Sequence, residues 1–219
     1  MGLLGFGLFA TGSIMGLFVV PPEQHMGDVG RILYVHVPTA WNAMLAYSFA
    51  LIFAVVSLWG SKRWADATMT SCAEIGTLLN SMLLVQGSVW AKPTWGIWWT
   101  WDPRLTMSAV MLVVFLGVLV LRSFVDDSSQ RATWSALGVI LAWAAVPITY
   151  FSVEWWRSMH QELSTPPDVD DPMVLVLRMN AFALLFIATF FVVRRTRMER
   201  ARLEAEDTPM PERMASEGA

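Results

Sequence analysis

The sequence predicts an all-α, polytopic membrane protein with six transmembrane helices and both termini in the cytoplasm. The class follows from composition: of the 219 residues, 55% are apolar and 15% are charged, which is far from the balance of a soluble domain. The mean hydropathy is +0.49. Six apolar stretches approach the roughly 20 residues that cross a bilayer, and they lie at about 3–20, 39–59, 70–90, 105–121, 133–151 and 173–193.

The orientation follows from the basic residues, because Lys and Arg in short loops are held on the cytoplasmic side. Ten of the fifteen lie near residue 62, near residue 126 or after residue 193. We therefore expect loops 21–38, 91–104 and 152–172 to face outward, and residues 1–193 to form one membrane domain. Residues 194–219 begin as a basic run and become rich in proline and polar residues. This pattern predicts a cytoplasmic tail that is largely disordered after one or two helical turns.

The first apolar stretch is interpreted as a retained helix. It lacks the basic start and the A-x-A-like cleavage site of a signal peptide, and it ends at Pro21 and Pro22. Gly12 and Gly16 have the small-xxx-small spacing that lets a neighbouring helix approach closely.

Two charged residues, Glu74 and Arg178, lie about one turn inside predicted spans. A charge at that depth usually has a partner or a function. They are predicted at opposite ends of the membrane and so are not expected to pair with each other. Snorkelling to the nearby interface is the simpler interpretation for both.

The most unusual stretch is WGIWWTWDPR, residues 95–104, which contains four tryptophans. Indole rings are common at membrane interfaces, but an interfacial belt needs only one or two for each helix end. If the stretch is helical, Trp95, Trp98, Trp99 and Asp102 fall on one face, with Trp101 beyond it, and Gly96 allows close approach. On composition alone, interfacial anchoring and ligand binding remain equally open.

His36 and His160 lie in the predicted outer loops on either side of this stretch. Neutral imidazole is a common iron and zinc ligand, and two histidines from separate loops can approach a flat macrocycle from opposite faces. Each has large aromatic residues nearby in sequence. His25 has polar turn residues around it and is interpreted as solvated.

Haem fits these residues better than zinc. Zinc sites need three or four nitrogen, sulfur or carboxylate ligands, whereas the outer loops offer two well-placed histidines and no thiol. An iron porphyrin needs axial ligands, an apolar surround and cations for its propionates. Arg31 and Arg104 are candidate cations, with contacts to lipid phosphates as the alternative role. There is no C-x-x-C-H motif, so the chain carries no thioether-linked haem of its own.

The stretch WGIWWTWD resembles the tryptophan-rich WWD motif, WGxxWxWD, of membrane haem-handling proteins. Six helices with a histidine loop on each side of the motif are similar to the cytochrome c maturation protein C family. The resemblance runs from RILYVHVPTAW, through KPTWGIWWTWDPRLT, to the histidine after SVEWW. One departure is Pro103, where many relatives have a small residue; it favours a helix beginning right after it.

The resemblance implies a function and a set of partners. Members bind haem b at the outer face of the bacterial inner membrane, here through His36 and His160 as the iron ligands, with the porphyrin against the tryptophan motif. They pass it to a periplasmic haem chaperone, protein E. Their partners are the ATP-binding cassette subunits A and B, the small single-span protein D and membrane lipid, with no nucleic acid. The positions that match the motif are Trp95, Gly96, Trp99, Trp101 and Asp102. The resemblance also implies roles for His36, His160, Arg31 and Arg104. Trp98 is a further candidate site residue because of its place on the same predicted helical face.

Two iron-bound imidazoles leave no open position for a substrate, which favours a carrier over an enzyme. An enzyme of the cytochrome b type would need histidines inside the spans, and predicted spans two to six contain none. The alternatives left open are a protein that itself moves haem across the bilayer and a non-haem transmembrane subunit of an ABC-type transporter complex.

Overall fold

The computed structural model describes residues 1–60, 62–160 and 171–207. A π-helical turn, Met15–Val19, continues α1, and a 3-10 turn, Asp28–Ile32, leads into α2. The α-helices are α1 Gly2–Ile14, α2 Leu33–Leu58, α3 Arg63–Trp95, α4 Pro103–Phe124, α5 Ser128–Trp143, α6 Ala145–Trp155 and α7 Asp171–Asp207. Because α5 and α6 follow each other directly, the described residues form six long helical rods.

Five of these rods are long and apolar enough to cross a membrane, which confirms the predicted all-α, polytopic membrane class. They are Gly2–Val19, Asp28–Leu58, Pro103–Phe124, Ser128–Trp155 and Asp171–Glu206. The sixth rod, α3, contains the predicted span 70–90 but is more polar. It packs against α2, α4, α5 and α7, and it buries Asp66, Thr70, Ser71, Thr77 and Asn80. These polar side chains of α3 therefore face other helices and not the surroundings of the bundle.

Two prolines shape the rods. Pro147 has no N–H to offer the carbonyl of Trp143, four residues earlier, so the helix is interrupted at Ala144, between α5 and α6. Pro38 lies inside α2 and likewise cannot bond the carbonyl of Tyr34. That carbonyl accepts a hydrogen bond of 2.7 Å from Nδ2 of Asn180 on α7 instead.

The small residues of α1 have the role that their spacing predicts. A Cβ on Gly12 would lie 2.1 Å from Oδ1 of Asn180, and one on Gly16 would lie 2.6 Å from the ring of Tyr34. Gly12 therefore allows contact with α7 and Gly16 allows contact with α2. The expectation of close helix approach is confirmed.

The apolar core lies between α2, α3, α4 and α5. Its centre is a stacked pair, Tyr47 and Phe115, whose ring centroids are 3.6 Å apart. A Cβ on Gly76 would come within 2.8 Å of the Tyr47 ring. A glycine is therefore needed on α3 where this ring lies flat against the helix.

One end of the bundle, here called the ion-pair end, is held by buried charges. Arg122 of α4 donates to both carboxylate oxygens of Asp66 on α3, each at 2.8 Å, and to Glu199 on α7 at 3.1 Å. The three residues are 7%, 3% and 1% exposed, respectively. Ser135 of α5 adds a contact of 3.3 Å to Arg122. Four helices therefore meet at one guanidinium.

Glu74 corrects one expectation from the sequence. Its carboxylate accepts two hydrogen bonds, of 2.6 and 2.7 Å, from Arg195 on α7. Snorkelling alone is the wrong interpretation for this residue, because its carboxylate forms an ion pair with Arg195 on a neighbouring helix. Sequence reasoning missed the pair because its members lie 121 positions apart.

The last helix is longer than the sequence predicts. α7 continues to Asp207, well past the one or two turns expected after residue 193. Glu199 and Leu203 are buried on this extension, and Glu206 pairs with Arg131 of α5. Tertiary contacts therefore stabilise a polar stretch that composition alone predicts to be disordered. Residues 208–219 of the predicted tail lie outside the described residues.

Candidate functional site

A cleft opens at the opposite end of the bundle, here called the histidine end. It contains about 780 Å³ of space free of protein atoms, a volume that includes its open mouth. Apolar side chains of α2 and α3 form its deeper wall. The polar and aromatic groups that line it include His36, Trp90, Trp95, Trp99, Arg104 and His160.

His36 lies on a helix. The sequence predicts a loop over residues 21–38, but α2 begins at Leu33 and continues through Pro38, because the carbonyl that Pro38 leaves unpaired finds Asn180. The His36 ring lies over α3, where a Cβ on Gly87 would be 3.3 Å from Cε1. A rigid helix and a glycine surface therefore fix the position of this imidazole.

Nδ1 of His36 is buried and has no hydrogen-bond partner among the described residues. The same is true of Nε1 of Trp90. Buried polar atoms are nearly always paired, so an unpaired one calls for an explanation such as a ligand, an ion or a water molecule. Both residues line the cleft, and unpaired buried atoms also occur elsewhere among the described residues, for example Nε of Arg131 and Oδ1 of Asn180.

The tryptophan motif is not a helix. α3 ends at Trp95 because Gly96 adopts a left-handed conformation with φ of 78°, and Nζ of Lys92 donates to the Gly96 carbonyl at 2.9 Å. Residues 96–102 then run without helical structure. The single face that a helix would form is therefore absent.

The four indole rings consequently divide into two groups. Trp95 and Trp99 line the cleft, whereas Trp98 and Trp101 are 58% and 81% exposed. Trp95 packs edge-on against Trp90, with centroids 4.9 Å apart. The two exposed rings lie outside the cleft lining, where an aromatic side chain can anchor the loop at a membrane interface.

Asp102 is buried beneath the motif, at 5% exposure, and does not line the cleft. Its Oδ1 accepts the backbone N–H of Arg104 at 2.9 Å, so it caps α4, which begins at Pro103 as the sequence predicts. It also accepts the Ser158 hydroxyl at 2.8 Å and the Met159 N–H at 2.6 Å. The carboxylate therefore joins the tryptophan loop to the segment that carries His160.

The two candidate cations have different surroundings. Arg104 lines the cleft, and its Nη1 donates to the carbonyls of Thr149 and Tyr150 at 3.1 and 2.7 Å. Arg31 does not line it. Its guanidinium donates to Asp28 at 2.8 Å and to the carbonyls of Gly16 and Val20. Arg31 therefore ties α1 to the start of α2, and Arg104 alone of the two faces the cleft.

His160 approaches the cleft from the segment after α6. Its ring centroid lies 6.5 Å from that of Trp90, and its backbone N–H donates to the Ser158 hydroxyl at 3.0 Å. The structure therefore brings both predicted histidines to one cleft from different elements. Within the described parts of the chain, no three His, Cys, Asp or Glu side chains cluster as a metal site, and two imidazoles line the cleft.

Sequence reasoning missed three contributors to this end. Trp90 and Tyr150 line the cleft, and Ser158 links Asp102 to His160. Trp90 lies at the end of a predicted span, where an interfacial anchor is the ordinary interpretation of an indole ring. No signal in the sequence marks Ser158, since its partner Asp102 is 56 positions away.

The fold and the cleft define a class: a polytopic helical membrane protein with an aromatic cleft flanked by two histidines. The family model described as heme exporter protein C matches residues 1–210. The chain is 36% identical to heme exporter protein C of Haemophilus influenzae over 203 residues, which are 91% of this chain and 82% of the relative.

Two further relatives agree with this match. Heme exporter protein C of Escherichia coli is 32% identical, covering 87% of this chain and 78% of its own length. A putative cytochrome c biosynthesis ccmC-like mitochondrial protein of Marchantia polymorpha is 31% identical, covering 89% of this chain and 85% of its own length. The chain belongs to the heme exporter protein C family, and the resemblance found in its tryptophan motif and histidines is confirmed.

Proposed function

We propose that this protein binds haem b at the outer face of the bacterial inner membrane and delivers it to a periplasmic haem chaperone during c-type cytochrome biogenesis. The observation that carries the proposal is that His36 and His160 both line one aromatic cleft. The unpartnered Nδ1 of His36 supports it, since a buried imidazole nitrogen needs a ligand or a hydrogen bond.

The cleft has the further features that a porphyrin needs. Trp95 and Trp99 offer flat apolar surfaces, which suit a planar ring. Arg104 uses Nη1 for two carbonyls, and its remaining guanidinium nitrogens have no hydrogen bond to the described residues. The planar guanidinium group of an arginine can donate two N–H groups to the carboxylate of a haem propionate.

Two imidazoles fill both axial positions of an iron porphyrin, so the site holds its cargo without offering a position for a substrate. Delivery requires that one imidazole be exchanged for a ligand on the acceptor. A cleft at the end of the bundle that is open at its mouth leaves room for that exchange. The proposal is therefore a carrier and not an enzyme.

The proposed orientation in the membrane and the proposed partner proteins follow from the same family. Both termini face the cytoplasm, the histidine end faces the periplasm, and the exposed indole rings of Trp98 and Trp101 meet membrane lipid. The acceptor is protein E of the cytochrome c maturation pathway. ATP-binding cassette subunits A and B and the small protein D assemble beside this chain.

The relatives are named heme exporter protein C, and the word exporter favours a second function. In that case the chain is a haem-translocating subunit, or a non-haem transmembrane subunit, of an ABC-type transporter complex. Vesicles that contain the protein together with its ATP-binding cassette subunits and ATP separate carriage from translocation. The carrier binds haem offered from the histidine side without moving it across the bilayer, whereas a translocating subunit moves haem between the two compartments.

The direct test is the haem retained by purified variants. We expect His36→Ala and His160→Ala each to lower the ratio of haem to protein and to lose the six-coordinate absorbance spectrum. His25→Ala is the matched control, because His25 is exposed and lies outside the cleft lining. Unchanged haem in both cleft variants, or equal loss in the control, contradicts the proposal.

A further inference from the structure

We propose that Asp102 and Ser158 are positioning residues that fix His160 for iron binding, and that Asp102 itself does not touch haem. The inference rests on the proposed function in one respect, namely that His160 is an iron ligand. Asp102, the acidic residue of the tryptophan motif, thereby has a role separate from haem contact, and Ser158 acts together with it.

The contact chain is continuous and has a defined direction. The Ser158 hydroxyl donates to Asp102, with oxygen distances of 2.8 and 3.0 Å to the two carboxylate atoms. The same hydroxyl oxygen accepts the backbone N–H of His160 at 3.0 Å. An ionised carboxylate is an acceptor only, so the single hydroxyl proton must point toward Asp102. This leaves the lone pairs of the serine oxygen for His160.

Asp102 is well placed to act as the fixed point. Its carboxylate is buried, caps the first turn of α4 through the Arg104 N–H and also accepts the Met159 N–H at 2.6 Å. Hydrogen bonds to an ionised carboxylate are stronger than those between neutral groups. Two successive residues before His160 are thereby attached to the start of a long helix.

The two histidines differ in a way that explains the need for such a link. His36 belongs to α2, whose backbone hydrogen bonds hold it in place. His160 follows α6 in a segment without helical structure. Asp102 and Ser158 supply the constraint that a helix supplies to His36, and they keep the His160 ring beside Trp90.

The first test compares Ser158→Ala with the conservative Ser158→Thr. Residues that orient a metal ligand typically contribute about 10- to 100-fold in affinity. We expect Ser158→Ala to weaken haem binding by about 10-fold and to give a partly five-coordinate spectrum, which added imidazole restores to six-coordinate. Ser158→Thr retains the hydroxyl and should restore both properties. Ser123→Ala is the control, because its hydroxyl bonds only locally, to the Val120 carbonyl, at the ion-pair end.

The double variant Ser158→Ala with His160→Ala identifies the route of the effect. If Ser158 acts through His160, the double variant binds haem no more weakly than His160→Ala alone. An additive loss, or a Ser158→Ala protein with the affinity and spectrum of the parent, overturns the inference. Asp102→Asn should change the spectrum in the same direction, with lower stability because α4 loses its charged cap.

A haem-free measurement separates this inference from the proposed function. Diethylpyrocarbonate modifies accessible imidazole nitrogens, and mass spectrometry follows His160 with His25 as the internal reference. We expect faster modification of His160 in Ser158→Ala than in the parent protein. If haem binding does not depend on His160, the proposed function fails, and this rate alone decides whether Ser158 positions the ring. An unchanged rate would overturn the positioning role.

Discussion

The two ends of the bundle differ in how their most buried polar side chains are paired. At the ion-pair end, Arg122 is surrounded by Asp66, Glu199 and Ser135 at hydrogen-bonding distance. At the histidine end, Nδ1 of His36 and Nε1 of Trp90 are buried without a partner among the described residues. The cluster around Arg122 is paired within the chain, although Nε of the nearby Arg131 has no partner among the described residues, whereas the two unpaired groups of the histidine end belong to residues that line a cleft.

The difference separates stability from function. A buried charge is tolerated when its partners are present, and removing one partner costs several kcal/mol. A buried polar atom without a partner lowers stability unless something binds to it. We therefore expect substitutions at the ion-pair end to affect folding, and substitutions at the histidine end to affect haem.

The largest expected effect is that of Arg122→Ala. It leaves the Asp66 and Glu199 carboxylates buried without their shared cation, and breaking a buried pair costs about 3–5 kcal/mol. Thermal unfolding in detergent should show a large loss of stability, while the haem bound by the remaining folded protein stays at the parent level.

Arg200→Ala is the control for this substitution, since Arg200 is 52% exposed and its contact with Glu204 is 3.6 Å. We expect little change in its unfolding temperature. If the two arginine variants unfold alike, the network at the ion-pair end does not contribute as described.

A smaller effect, confined to the histidine end, is expected for Gly87→Ala. The new Cβ would meet Cε1 of His36 at 3.3 Å, closer than the optimal 3.5–4.0 Å between carbon atoms, so the ring must shift. Haem affinity should fall by about 10-fold, the lower bound for loss of ligand orientation, without loss of folding stability. Equilibrium titration with haem measures the change.

Gly117→Ala is its matched partner on α4, because a Cβ there meets nothing within 4 Å. Alanine favours a helix over glycine by about 0.5–1 kcal/mol, so this variant should be slightly more stable and bind haem normally. Equal haem affinity in the two alanine variants would show that Gly87 does not help to position the His36 ring.

The smallest effect is expected for Glu74→Gln. The pair between Glu74 and Arg195 has short contacts, but its side chains are 30% and 32% exposed. Pairs that water reaches contribute about 0–1 kcal/mol, and Arg195 retains Glu199 at 3.3 Å. Unfolding experiments should place this variant close to the parent protein and far from Arg122→Ala. A loss as large as that of Arg122→Ala would show that solvent does not screen this pair.

Features that depend on local pattern could be predicted from the sequence. Apolar length predicted the five spans that the structure bears out, the spacing of Gly12 and Gly16 predicted close helix approach, and Pro103 predicted a helix start near its own position. The tryptophan motif indicated the family, and both candidate histidines line one cleft. Each of these follows from neighbours in the chain.

Features that depend on contacts between distant residues could not be predicted. α2 begins before His36 because Asn180, on another helix, satisfies the Tyr34 carbonyl. α7 extends to Asp207 because Glu199 finds Arg122. The link from Asp102 to Ser158 joins two loops whose approach depends on how α4 and α6 pack. A single sequence does not show which distant residues come into contact in the fold.

The central claim is that the imidazoles of His36 and His160 bind one iron. Electron paramagnetic resonance of the ferric, haem-loaded protein, with pulsed detection of histidine nitrogens labelled with ¹⁵N, tests it directly. We predict a low-spin iron coupled to two imidazole nitrogens, with one coupling lost in His36→Ala and one in His160→Ala. A high-spin iron in the parent protein, or two couplings that survive either substitution, would contradict the account.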